Sequence, residues 1–444
     1  MKHIVIIGNG IAGVTVARHI RKASDDRITI ISAESDHFFS RTALMYIYMG
    51  HLKYEHTKPY EDGFWEKNRI ELRRAYVQQV DTNQKQVLFS DASSLSYDVL
   101  VLATGSKPNK FGWPGQDLTG VQGLYSLQDL ESMEAYTKNI GRAVIVGGGL
   151  IGIEMAEMLL SRDIAVSFLV REKNFWGSIL PPEEAGMINK HAREHHVDLR
   201  METELKEILP DTEGRVRGIV TTSGEEIPCQ FVGLTVGVSP NIDFLKSSNV
   251  ELGKGILVNE YFETNVPDVY AIGDCVEYRQ PPAGRKKIEQ IWYTGRIHGE
   301  TLAQTIVGKR TAYQPGVFFN SAKFFDIEYQ TYGQVNNKLA EGEASFYWEH
   351  ANGKICLRIN YAQQEGHVIG FNAFGMRLRH ATCERWVREK RSLEYVLEHL
   401  SEANFDPEFY KRHEKEILAR YNEQNPDKPL RNKARKGLFQ RMFQ

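Results

Sequence analysis

One glycine-punctuated strand–helix–strand unit occurs twice in this chain, and it constrains the fold more than any other feature. HIVIIG (3–8) is a short β-branched run closed by glycine, IAGVTVARHIRKAS (11–24) has helical spacing, and RITIISAE (27–34) is a second strand. The pattern restarts in RAVIVGGGLIGIEMAEMLLSRDIAVSFLVRE (142–172). Strands with no polar alternation are buried on both faces. Two such strands joined through a helix lie parallel in one sheet. YDVLVLATG (97–105) and VYAIGD (269–274) are further strands of the same buried type. From about residue 314 the texture changes to alternating strands, and the last sixty or so residues read as charged helices.

Each unit carries G-x-G-x-x-G between strand and helix: Gly8, Gly10 and Gly13 in the first, Gly147, Gly149 and Gly152 in the second. The first glycine permits the tight turn, the second lets a pyrophosphate approach the backbone, and the third lets helix and strand pack closely. The helix start then offers unpaired N–H groups to the anion. Glu34 closes the first unit and would accept hydrogen bonds from an adenosine ribose. The second unit ends Val170, Arg171, Glu172. Arg171 suits a 2′-phosphate and Glu172 a free ribose, so NADPH and NADH both stand, with a slight lean to NADPH.

The totals exclude several classes. The formal net charge of −2 over 444 residues gives no drive toward nucleic acid. The four cysteines, at 229, 275, 356 and 383, form no C-x-x-C pair and fit a reducing cytoplasm. The N-terminus runs straight into a strand without the pattern of a signal peptide. No run of about 18 apolar residues occurs, so no transmembrane helix is expected.

Five motifs in order, GNGIAG with Glu34, ATGSKPN (103–109), GGGLIG, GLTVGVSPN (233–241) and TNVPDVYAIGD (264–274), make residues 1–315 resemble the FAD-dependent pyridine nucleotide–disulfide oxidoreductase superfamily. The resemblance implies an α/β chain with two Rossmann-like dinucleotide-binding domains and a C-terminal α+β interface domain. The FAD domain would span 1–113 and 245–313, the NAD(P) domain 114–244, and the C-terminal domain 314–444. FAD would be held by the first glycine motif with Glu34, Arg41, Thr104, Gly105, Gly273 and Asp274. NADPH or NADH would be held by the second motif with Arg171 and Glu172. Cys275 reads as a small buried residue near FAD, not a nucleophile.

FFSRTALMYIYMG (38–50) is similar to the thiol-free branch, which includes ferredoxin and rubredoxin reductases and apoptosis-inducing factor. Arg41 would sit near the FAD pyrophosphate. Thr42 stands where other branches place a redox cysteine, and a hydroxyl cannot cycle as sulfur does. The branch's lysine, which pairs with the glutamate matching Glu154, is replaced by Tyr46. Trp292, in IEQIWYTGRIHGETLA, would wall the flavin. The resemblance therefore implies electron flow from NAD(P)H through FAD to an electron-transfer protein, a quinone or a radical. The alternative is a slowly turning redox-responsive module. A homodimer is an expectation of the same kind.

Two lesser signals complete the reading. His191 and His195 are spaced i, i+4 like a metal pair, but with no third ligand evident they read as a solvated helix face, so no metal site is expected. Lys428 to Arg441 holds six basic residues interleaved with apolar ones. It reads as a solvated or dimer-packing helix, with contact to an acidic partner or an anionic membrane surface as the rival.

Overall fold

The computed structural model describes residues 1–405 and 411–433. Much of the basic tail therefore lies outside the described residues. Among those described, no helix is long and apolar enough to cross a membrane. The chain groups into two compact units. The first comprises Met1–Gly147, Met155–Val166 and Glu204–Pro315, and the second comprises Gly148–Glu154, Ser167–Thr203 and the described residues from Gly316 on.

In the first unit, five parallel strands form a sheet in the order Val269–Ala271, Val99–Leu102, His3–Ile7, Arg27–Ser32, Ile70–Arg74. The apolar runs are buried as their composition requires, with Ile4, Val5, Ile6, Leu100, Val101 and Leu102 fully inside. Gly8 has φ +115°, and a Cβ there would sit 2.1 Å from the Ala103 carbonyl oxygen. A Cβ on Gly13 would sit 2.0 Å from the Gly8 oxygen, so the helix Ile11–Arg21 rests on the turn at a distance only glycine allows. The helix Trp292–Ile306 packs on that helix, and a Cβ on its Gly299 would lie 2.7 Å from the Ala12 oxygen.

The same unit holds the strand that opens the second glycine motif. Arg142–Val146 pairs in parallel with Phe231–Leu234, which pairs in parallel with Val121–Gln122. ATGSKPN and GLTVGVSPN turn out to be partners. Ser106–Pro108 and Val238–Pro240 form a short antiparallel ladder, pairing Ser106 with Pro240.

In the second unit, Ser167–Val170 pairs in parallel with Asp198–Met201, and the helix Pro182–Glu194 lies between them in the chain. Five antiparallel strands form the other layer, in the order Phe319–Phe324, Ile327–Gly333, Val368–Phe374, Cys356–Ala362, Glu343–Glu349. One face is apolar. Leu357, Ile359, Phe371 and Tyr332 pack there with Trp386, Val396, Leu397 and Ile417 of the terminal helices. The opposite face carries Arg358, which bonds Glu184 at 2.6 and 2.9 Å and Glu183 at 2.7 Å on the helix Pro182–Glu194. Glu184 is fully buried, and such a charge is tolerable only because the guanidinium answers it in bidentate geometry.

His298, on the helix Trp292–Ile306, is buried at 1% exposure. Its Nδ1 accepts the Gly273 N–H at 3.1 Å and its Nε2 lies 2.6 Å from the Tyr278 hydroxyl. Burial, with Arg285 nearby, pushes the imidazole down to about 3 from 6.5. Between those values the unfolded chain binds a proton that the folded ring refuses. This group's contribution is therefore full above pH 6.5 and is lost as pH falls toward 3. In urea unfolding, the wild type should lose about 2 kcal/mol more than His298→Gln on going from pH 7.5 to pH 5. Equal losses in the two proteins would contradict this origin.

Candidate functional site

The site lies in the first unit, at the carboxyl ends of its parallel strands, where open α/β sheets bind ligands. The Gly8–Gly13 turn is held by two bonds to the strand exit beside it. The Gly8 N–H donates to the Ile31 carbonyl at 2.8 Å, and the buried Asn9 amide donates to the Ser35 carbonyl at 2.9 Å. Above Gly10 there is open space, with nothing within 4 Å of where a Cβ would stand. That is the room a pyrophosphate needs at this glycine.

Glu34 leaves the end of Arg27–Ser32 and is met from two sides. Arg41 forks its carboxylate at 2.7 and 2.6 Å. The Leu127 N–H donates to the same Oε1 at 2.9 Å. That amide is available because Leu127 opens a helix, which Ser126 caps by accepting the Asp129 N–H while Asp129 bonds back to the Ser126 N–H. A carboxylate has about four lone-pair sites, so these three bonds leave room for another donor such as a ribose hydroxyl.

Arg41 begins the short 3₁₀ turn Arg41–Ala43. Besides Glu34, it donates to the Tyr125 carbonyl at 2.6 Å, and its guanidinium lies 4.5 Å from the centre of the Tyr125 ring. Burial works against its charge, but the Glu34 bonds and charge outweigh that and raise its pKa. The Tyr125 hydroxyl donates to Asp274 at 3.2 Å and accepts the Ser106 N–H at 3.0 Å. Burial raises this phenol, which keeps it a neutral donor. Asp274 sits in the turn Gly273–Cys275. Burial pushes its carboxyl up to about 6, against the lowering by the Tyr125 bond and the Arg41 charge.

The structure thus gathers Gly8, Gly10, Gly13, Glu34, Arg41, Thr104, Gly105, Gly273 and Asp274 into one unit. Gly105 has φ +66°, and a Cβ there would meet the Tyr125 hydroxyl at 2.8 Å. Thr104 donates to the Asn241 carbonyl at 2.8 Å. Tyr125, Ser106, Gln290 (which donates to the Ser106 hydroxyl at 2.7 Å) and His298 escape the sequence reading. Of these, only Tyr125 has a local signal, the S-x-x-D capping box that follows it.

Other expected residues are placed as follows. Thr42 is exposed, its hydroxyl 3.1 Å from that of Ser40. Tyr46 is half-buried on the helix Leu44–Tyr48, its ring 6.2 Å from that of His51. Glu154 is half-buried on the helix Leu150–Leu160. Trp292 is half-buried at the first position of its helix, beside Tyr293. All four cysteines are free and buried, and burial pushes their thiols up, to about 12 for Cys229 and about 11 for Cys275.

At the second glycine motif, Gly147 has φ +113° and abuts the Thr235 carbonyl. Gly149, in the other unit, has open space where a Cβ would stand. Gly152 is buried and donates its N–H to the Gly149 carbonyl at 3.1 Å. In that unit the Glu172 carboxylate lies 3.7 Å from the point where a Cβ on Gly148 would be. Arg171 is largely exposed and bonds sideways to Glu172 at 3.1 Å.

A family model described as pyridine nucleotide-disulphide oxidoreductase matches residues 2–298. The nitrite reductase [NAD(P)H] of Bacillus subtilis is 29% identical over 382 residues, which are 84% of this chain but 46% of that protein. The chain therefore spans less than half the length of that relative. The NADH-rubredoxin oxidoreductase of Clostridium acetobutylicum is 29% identical over 382 residues, covering 85% of this chain and 93% of that one. The crystal structure of a covalent putidaredoxin reductase–putidaredoxin complex superposes with a TM-score of 0.79 at 21% identity, covering 94% of this chain and 98% of that one, a likeness of fold.

The open space over Gly10, the ribose-ready Glu34 and the enclosed Asp274 fit FAD. Asp274→Asn should lower FAD affinity about tenfold or more, read as the flavin-to-protein absorbance ratio after dialysis. Thr42→Ala should retain full flavin. Full retention by Asp274→Asn would remove Asp274 from the site.

Proposed function

The chain belongs to the pyridine nucleotide–disulphide oxidoreductase family of FAD-dependent NAD(P)H oxidoreductases, and from that premise we propose that it reduces a small electron-transfer protein of the ferredoxin or rubredoxin kind without using a redox cysteine. The observation that carries the thiol-free part is the position of sulfur. Thr42 occupies the exposed turn beside Arg41, whereas all four cysteines are buried with raised thiols. A thiolate relay needs the opposite, an accessible sulfur of depressed pKa. The acceptor class is supported by the named role of the rubredoxin oxidoreductase that matches along most of both chains.

FAD, when bound, would supply the redox chemistry that links NAD(P)H to the acceptor. The protein's residues bind and orient. Glu34 would accept from the adenosine ribose, the Gly8–Gly13 turn would present N–H groups to the pyrophosphate, and Arg41 would offset the anionic charge. Asp274 would accept a hydrogen bond from the ribityl region. Trp292 would help shield a bound flavin from water, and the N-terminus of its helix would favour nearby negative charge. Tyr46 would supply a neutral, hydrogen-bonding phenol where the family's lysine would supply a charge.

Glu172, beside Gly148, is the better-placed ribose acceptor at the second motif, and the exposed Arg171 is turned onto it. This supports NADH over NADPH. Stopped-flow mixing of the flavin-loaded protein with each nucleotide should give faster bleaching with NADH. Glu172→Ala should cut that preference about tenfold. Rapid reoxidation by a ferredoxin or rubredoxin should follow. Preference for NADPH that disappears in Arg171→Ala would reverse the nucleotide assignment. Slow bleaching with a persistent long-wavelength band would favour the redox-responsive module instead.

A further inference from the structure

The helix Pro182–Glu194 and the residue after it carry His191 and His195, spaced i, i+4 on one face. They do not form a solvated face. His191 is 1% exposed, and the side chain completing the set comes from far along the sequence. The hairpin between Phe319–Phe324 and Ile327–Gly333 turns through Phe325 and Asp326, and Asp326 faces both rings. One donor atom from each of the three residues lies within 4.8 Å of the others.

The proton arrangement suits a cation. His195 Nδ1 lies 3.0 Å from the His191 carbonyl, so it carries the proton and donates it. That leaves a lone pair on Nε2, which lies 3.7 Å from Asp326 Oδ1. A lone pair facing a carboxylate oxygen is repulsive unless a positive centre lies between them. Donation of the other ring nitrogen to a backbone carbonyl is the usual support for a metal-bound histidine. His191 Nε2 abuts Asp326 Oδ1, yet neither ring nitrogen of this buried side chain has an aligned hydrogen-bond partner. Its Nδ1 is 3.7 Å from Glu194. The Phe325 ring stacks on His195 with centroids 4.4 Å apart, which fixes the turn against the helix. Lys354 holds the other Asp326 oxygen at 3.1 Å and so leaves Oδ1 to the histidines.

We propose that His191, His195 and Asp326 form a binding site for a divalent first-row transition metal, with Zn²⁺ the best-suited ion, clipping the helix Pro182–Glu194 to the Phe325–Asp326 turn. Two imidazoles and a carboxylate suit that class, and tetrahedral Zn²⁺ ligands stand about 3.3 Å apart, close to the separation of His195 and Asp326. Solvent at the exposed carboxylate supplies the remaining position. A second group, His350, His413 and Glu416, is chemically less suited. There His350 Nδ1 accepts the Asn352 N–H at 3.2 Å, which puts the ring proton on Nε2, the atom facing Glu416.

The test uses the full-length, flavin-loaded protein, stripped with a chelator and titrated with Zn²⁺ in equilibrium dialysis. The wild type should bind one Zn²⁺ per chain in the micromolar range or tighter. His195→Ala and Asp326→Asn, both at accessible positions, should each weaken this at least about tenfold while retaining full flavin. Glu416→Gln should not. Co²⁺ in place of Zn²⁺ should give the visible absorption of a four-coordinate site in the wild type alone. Absence of stoichiometric Zn²⁺ binding, unchanged binding in both variants, or loss that follows Glu416→Gln would each overturn the assignment.

Discussion

Two carboxylates, Glu34 and Asp274, are half-buried at the carboxyl ends of a parallel sheet, and the site depends on how they are neutralised. Arg41 forks Glu34 and places its charge near Asp274, and Tyr125 bridges from the guanidinium's face to the Asp274 carboxyl. Leaving one charge of this partly buried set without its partner would be costly, so its members depend on one another. It also decides where other elements go. The Leu127 N–H reaches Glu34 only because Ser126 caps its helix, and Gly105 must be glycine because the Tyr125 hydroxyl occupies the space of its side chain.

The network couples fold to function through a mismatch of charge. The group the site fits is itself an anion at its pyrophosphate and a hydrogen-bond donor at its ribose and ribityl hydroxyls. Glycine turns and a helix start would meet the anion, and the carboxylates would meet the hydroxyls. Nothing in that division of labour uses sulfur. All four cysteines are free and buried, Cys275 among them directly after Asp274.

Much of this was legible in the sequence, for physical reasons. Glycines at 8, 13 and 147 are fixed by contacts of backbone on backbone, which no other residue survives, so the motif reports the geometry directly. Glu34 follows from its distance beyond Gly13, and Asp274 from the resemblance that TNVPDVYAIGD carries. Tyr125, Ser106 and Gln290 were not legible, because each acts on a partner about 20 to 180 residues away and none belongs to a periodic pattern. The pairing of Ser106–Pro108 with Val238–Pro240 was hidden in the same way, since strands of three residues carry no alternation. The histidine pair shows the converse error. Helical spacing revealed His191 and His195, but the absence of a third ligand nearby in sequence said nothing about Asp326, 131 residues beyond His195.

The claim that electrons leave the flavin without passing through sulfur has a stoichiometric consequence. Anaerobic titration of the flavin-loaded protein with its preferred nicotinamide nucleotide, followed by absorbance and by thiol counting after denaturation, measures it directly. Full reduction should take one nucleotide per FAD, with the thiol count equal before and after. Uptake of a second equivalent, accompanied by the appearance of two new thiols, would contradict the account.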